Sequence, residues 1–239
     1  MADFANADVL DAIRMAIGAV VLCYASYTDI KTRTAENYLW AIMGGAGVLL
    51  LVLQYFLFPG TIAYFDLIYI PIMIGLVYLL FYLRLIFGGA DAKALMAIAV
   101  LAPFWPKFTP LPSIMPFSLS VLTNALLSFL AIPIGLFFYN LSRGDLKFPH
   151  AFLGVLMPIE KAQRKFIWPM QYLEKGRIKT RYFPTEGNAS ADLRLLRAYG
   201  LRKVWVTPKL PFMIPICAGF VLSFIAGDIL FWIIASIMG

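Results

Sequence analysis

Residues 38–58 read YLWAIMGGAGVLLLVLQYFLF, a run without one charged side chain. A helix needs roughly 20 mostly apolar residues to cross the hydrocarbon layer of a bilayer, and this stretch supplies them. The same character extends in both directions. Of the 239 residues, 62% are hydrophobic, against about 45–50% in an ordinary soluble protein. A soluble domain of this size has no interior large enough for that much apolar surface, so lipid is the solvent for most of the chain.

Working outward, the first span is expected over Val9–Thr28 and the second over Tyr38–Phe58. The third follows over Leu67–Phe87, and a short Ala-rich fourth over Ala90–Trp105. The fifth covers Phe117–Leu141 and the sixth Phe212–Ile237, with Pro133 and Pro215 expected to kink them locally. The fourth, being small-sided, is expected to pack inside the bundle. The N-terminus carries Asp3, Asp8 and Asp11 before its first Arg, unlike the basic start of a secretory signal, so the first span is expected to remain in the protein.

Residues 142–210 differ from the rest. They hold 14 of the 20 basic residues, against five acids. Segments 164–168 (RKFIW), 176–183 (GRIKTRYF) and 202–207 (RKVWVT) mix basic with aromatic or β-branched side chains, which suits short strands. A helical turn is expected at Asp192–Tyr199. The fold class is therefore an all-α polytopic membrane bundle of six transmembrane helices, with a small cytosolic, β-containing domain between helices five and six. The division is 1–141 membrane, 142–210 basic domain, 211–239 last helix.

Orientation follows from the basic residues, which concentrate in cytoplasmic loops. Lys31 and Arg33 follow span one, Arg84 and Lys93 flank the junction of spans three and four, and the large basic loop follows span five. Residues 59–66 hold no basic side chain, and residues 102–116 only Lys107. Both termini are thus expected outside the cytoplasmic membrane. A basic domain beside the cytoplasmic leaflet is drawn to anionic lipid headgroups, which accounts for the net charge of +7 without nucleic acid.

Ionisable residues at the edge of a membrane bundle are functional hypotheses by default. Asp29, in ASYTDIKTR, ends span one, and Asp91, in GGADAKA, starts span four. The topology puts both at one depth on the cytoplasmic side. Asp66 and Asp228 belong to the outer side, and Glu36 to the loop beside Asp29. Two carboxylates held together share a proton, because like charges in contact do not both ionise cheaply. The ionised one takes a proton from water; the protonated one polarises a scissile carbonyl and protonates the leaving amine. The blander readings are an interfacial anchor for Asp29 and a helix cap for Asp91. Gly88 and Gly89 add room for a close backbone approach. Cys23 and Cys217 read as small buried hydrophobes. His150, the only histidine, reads as a loop residue, so no histidine metal site or Ser-His-Asp triad is expected.

Three stretches together resemble the type IV prepilin peptidase family, and most closely its archaeal preflagellin (prearchaellin) branch. They are ASYTDIKTRTAENYLW (25–40), GGADAKALMAIAVLAP (88–103) and VWVTPKLPFMIPICAGFVLSFIAGDIL (204–230). The resemblance implies a GxGD-type aspartic peptidase without cofactor or metal. Its substrates would be pilin-like precursors, from which it cuts short basic leader peptides at the cytoplasmic face. Asp29 and Asp91 match the family's catalytic aspartates, Gly88 and Gly89 its motif, and Lys93 a basic position in it. Ala90 stands where the motif has Gly, which removes easy access to positive φ. No cysteine-rich insert is present, so a peptidase without methyltransferase activity is implied. The basic domain should repel a basic leader within about 8–10 Å, so it is expected to grip lipid or cover the site, while Asp29, Asp91 and Glu36 face the leader. Rival readings are a presenilin-like intramembrane protease, which uses more spans, a proton-coupled transporter, which would tend to show a repeat and midplane charges, and a non-enzymatic scaffold. Oligomeric state is left open.

Overall fold

The computed structural model describes residues 2–62, 64–86, 88–164, 166–182, 188–209 and 211–238. Phe87, Lys165, Phe183 and Leu210, at or within the expected boundaries above, lie outside the described residues. In chain order the elements are α1 (Ala2–Thr32), α2 (Asn37–Leu57), a 3-10 turn (Tyr64–Ile68), α3 (Tyr69–Tyr82), α4 (Gly89–Leu101), α5 (Phe117–Ser142), α6 (His150–Leu153), β1 (Val155–Pro158), α7 (Ile159–Ala162), β2 (Ile167–Pro169), β3 (Gln171–Glu174), β4 (Arg177–Thr180), α8 (Ala189–Ala198), β5 (Lys203–Pro208), α9 (Met213–Ile225) and α10 (Ile229–Met238). They form two compact units, Met1–Phe129 with Pro211–Gly239, and Leu130–Leu210.

The first unit is helical and built around α4. Ala92, Ala94, Leu95, Ala97, Ile98, Ala99 and Leu101 are all buried, so this helix packs inside the bundle, as its small side chains suggested. α2 and α3 lie against it, and α1 packs on α9. Small residues permit the closest approaches, as is common between membrane helices. A β-carbon at Gly47 would stand 2.6 Å from the Leu101 α-carbon, and one at Gly219 2.5 Å from the Ala125 nitrogen. The other face of α2 exposes Val48, Leu49, Val52 and Phe56, an apolar surface made for lipid.

Among the described residues, three helices are long and apolar enough to cross a membrane: Asp8–Thr32, Asn37–Leu57 and Phe117–Ser142. The pair α9 and α10 makes a fourth candidate if its 63° bend is counted within one span. Three of the six spans expected from the sequence are shorter or more broken than expected. α3 has 14 residues and α4 has 13, lengths of about 20 Å against a layer of ~30 Å. The last apolar stretch breaks, and the break is not at Pro215. Pro215 sits in the first turn of α9, where a helix has no use for its missing N–H. The chain turns instead at Gly227, with φ at +93°. A β-carbon there would overlap Leu111, standing 2.5 Å from its carbonyl carbon.

Polar side chains fix that turn. The Asp228 carboxylate accepts from the Phe231 N–H (3.0 Å), capping α10, and from Ser113 Oγ (2.9 Å) and Ser120 Oγ (2.6 Å). Asn124 donates to Ser223 Oγ and the Gly227 carbonyl and accepts from the Ile229 N–H. A second buried network joins α1 to α2. Arg14, only 2% exposed, donates at 2.7 Å to both Asp11 Oδ1 and Gln54 Oε1. Cys23 is not buried as expected. It is exposed on α1, and its sulfur lies 3.6 Å from that of Cys217 on α9.

The second unit holds a three-stranded antiparallel sheet in the order β1-β5-β2 and the hairpin β3-β4. Val155 faces Val206 and Trp168 faces Thr207. The hairpin turns on Lys175 and Gly176, both at positive φ, the pattern of a type I′ turn. α8 is the helix expected near Asp192–Tyr199, begun earlier by the Asn188 cap on the Ala191 N–H. Its Leu193 and Leu196 close a core with Ile159, Ile167, Val204 and Val206. His150 is no loop residue. It opens α6, is 1% exposed, and packs against the Tyr182 and Trp205 rings.

Candidate active site

Asp29 opens the last turn of α1. That helix ends at Arg33, which adopts positive φ (59°) and returns its N–H to the Asp29 carbonyl at 3.1 Å. Asp91 lies in the first turn of α4, three residues after Gly88, the extended residue (φ −89°, ψ 118°) that precedes the helix. An acid at this position folds back toward the residue before the helix. The Asp91 side chain does so: a β-carbon on Gly88 would overlap its carboxylate and stand 2.7 Å from its Cγ. Gly88 is thus required for space, and its φ is one that any residue adopts.

The structure brings Asp29 and Asp91 near enough for their charges to act on each other. Both carboxylates are half-buried. α9 contributes a third element, because the Met213 backbone N–H donates to the Asp29 carboxylate, and the Arg33 guanidinium lies nearby. Nothing in the sequence announced the Met213 contact, since a backbone donor carries no side-chain signature. The site is therefore where the end of α1 meets the starts of α4 and α9.

The neighbouring motif residues take distinct places. A β-carbon on Gly89 would come no closer than 3.9 Å to the Phe81 ring, so that position tolerates one. Ala90 is helical, and it is not among the described residues with positive φ. The expected cost of alanine there does not arise. Lys93 Nζ donates to Asn37 Oδ1 at 2.8 Å, tying the start of α4 to the start of α2. Glu36 is exposed immediately before α2, and its side chain makes no cap hydrogen bond. Asp228 accepts three hydrogen bonds at the start of α10, from Phe231 N–H, Ser113 Oγ and Ser120 Oγ, which gives it a structural place there. Among the described residues, no three His, Cys, Asp or Glu side chains converge as metal ligands would.

Residues 16–139, which include both aspartates, match the model of the type IV leader peptidase family, and residues 146–229 match that of the archaeal peptidase A24 C-terminus, type II. The chain is 28% identical over 247 residues to a preflagellin peptidase of Methanocaldococcus jannaschii, covering 95% of this chain and 99% of that one. It is 32% identical over 235 residues to a preflagellin peptidase of Methanococcus voltae, covering 90% and 96%. A preflagellin peptidase of Methanococcus maripaludis is 27% identical over 237 residues, covering 90% and 96%. With a family match over more than half its length and relatives spanning nearly all of it, the chain belongs to the type IV leader peptidase family and is a protease.

Proposed function

We propose that this chain is an aspartic endopeptidase that removes the short basic leader from pilin-like precursors at the cytoplasmic membrane face, with Asp29 and Asp91 as its catalytic pair. The observation that supports the reading is that these two carboxylates, at the end of α1 and the start of α4, lie near enough for their charges to interact in a protein of this family. One carboxylate, ionised, removes a proton from water as it attacks the scissile carbonyl. The other, protonated, donates to the carbonyl oxygen and afterwards to the leaving amine. Gly88 leaves the space that Asp91 occupies. Lys93, through Asn37, keeps the start of α4 in place.

In this reading the chain makes six passes. α3 and α4 cross with the irregular segments at their ends, α9 and α10 form one bent pass, and both termini lie outside. The basic unit faces the cytoplasm and rests on anionic headgroups. The acids of the site, with Glu36 exposed just before α2, attract a basic leader, while the substrate's apolar helix stays in lipid. The test is cleavage of a pilin-like precursor in membranes by wild type, Asp29→Asn and Asp91→Asn. Each variant should insert normally and lose roughly 10²–10⁴-fold in rate, the range for a lost general acid or base. Near-normal cleavage by either variant refutes the pair.

A further inference from the structure

Cys23 and Cys217 lie 194 positions apart in the chain, yet their sulfurs are 3.6 Å apart and both are free thiols. They sit where α1 packs on α9. Cys23 comes six residues before Asp29, about 9 Å along the helix, and Cys217 four residues after Met213, about 6 Å. These are the two helices joined above by the hydrogen bond from Met213 to the Asp29 carboxylate. A disulfide needs its sulfurs at about 2.05 Å, so the two must close by roughly 1.5 Å from where they stand. Cys23 is exposed, so a small neutral oxidant reaches it.

We propose that Cys23 and Cys217 form a reversible disulfide between α1 and α9, a redox modification site that slows the peptidase by locking the Asp29 end of α1 against α9. The slowing rests on the function proposed above; the bond itself does not. With a peroxide as oxidant, the Cys23 sulfur attacks the O–O bond, giving a sulfenic acid and, from hydrogen peroxide, one water. The Cys217 sulfur then attacks the sulfenic sulfur and expels a second water. Two thiols lose two electrons and two protons, and one peroxide becomes two waters. A dithiol reverses the bond by two exchange steps. The consequence for rate follows from the neighbouring site. An adjustment in which the end of α1 carries Asp29 onto Asp91 with substrate bound moves α1 relative to α9, and a covalent link about two turns away opposes it.

The experiment uses the full chain in membranes, as wild type, Cys23→Ser and Cys217→Ser. Each is treated with hydrogen peroxide, unfolded, and reacted with a maleimide mass tag. Oxidised wild type should take up no tag and run as a monomer on a non-reducing gel. Dithiothreitol should restore two tags in wild type; Cys23→Ser should keep its one thiol throughout, and Cys217→Ser, whose Cys23 stops at the sulfenic acid, should recover its one tag with dithiothreitol. Cleavage of a pilin-like precursor by wild type should fall roughly fivefold or more on oxidation, the lower end of ordinary coupling between sites. It should recover with dithiothreitol, while Cys217→Ser is unaffected by peroxide. Two tags on oxidised wild type, a linked dimer, or equal loss of cleavage in Cys217→Ser overturns the proposal. So does a formed disulfide with unchanged cleavage. If reduced wild type cleaves no precursor, the proposed function fails, and the tag count still decides the bond.

Discussion

Replacing Gly88 by alanine places one methyl group against one functional atom. The backbone at Gly88 (φ −89°, ψ 118°) accepts alanine without strain, so the fold has little reason to change. Alanine is a poorer residue than glycine before a helix, at a cost of about 1 kcal/mol or less. The new β-carbon would overlap the Asp91 carboxylate, with the Cγ only 2.7 Å away. An unstrained contact needs about 3.5–4.0 Å, so the carboxylate must move by roughly 1 Å. A misplacement of that size costs on the order of 10²-fold in rate, about 2.7 kcal/mol of barrier. Gly89→Ala is the matched control, because its β-carbon meets nothing closer than 3.9 Å. Precursor cleavage at saturating substrate, normalised to inserted protein, should separate the two, with Gly88→Ala slow and Gly89→Ala within a few-fold of wild type. Equal rates for the two variants, or wild-type cleavage by Gly88→Ala, would refute the steric account.

Three further outcomes test other parts of the structure. Lys93→Ala and Asn37→Ala should each weaken cleavage modestly, and a double-mutant cycle should return roughly 0.5–1.5 kcal/mol for their shared hydrogen bond; zero coupling would show that the bond does no positioning. Burial, with Lys147 adding to it, holds the His150 imidazole below its ordinary pKa of 6.5. The unfolded chain therefore binds the proton first, and the basic unit should lose stability as pH falls below about 6.5, levelling off once the folded pKa is passed. Denaturant unfolding at pH 7.5 and 5.5 should show that loss in wild type and not in His150→Phe; an identical pH dependence in both would discount the histidine. Asp228→Ala removes the α10 cap and strands Ser113 and Ser120, so it should lower thermal stability in detergent by about 2–4 kcal/mol, and an unchanged melting temperature would mean that water replaces the carboxylate.

The membrane character and the buried place of α4 were legible because each rests on many residues. The sheet unit was legible in part. β2, β4 and β5 lie in segments rich in β-branched and aromatic residues, while β1 (VLMP) and β3 (QYLE) carry no such mark. The break in the last span was misplaced because proline announces itself in a sequence, whereas a glycine at positive φ depends on what stands opposite, here Leu111. Contacts between distant segments were invisible for the same reason. Arg14 with Gln54, Cys23 with Cys217 and Met213 with Asp29 exist only once helices are packed. Gly88 was noticed for the close approach of another backbone that it allows, yet the group it makes room for is the carboxylate of Asp91.

α10 buries none of its side chains, so protein contacts scarcely hold it beyond its first turn. In the bent last pass proposed above, its position along its length is set by the surrounding lipid, and a thinner or thicker bilayer will change its tilt. That tilt is taken up at the Gly227 corner, which Asn124 and Asp228 fasten to the rest of the bundle. Mechanical load from the bilayer is therefore grounded at one end of α9, away from Met213 at the other. The peptidase is built to be indifferent to the membrane that carries it: its cleavage rate should vary little across lipids of different chain length.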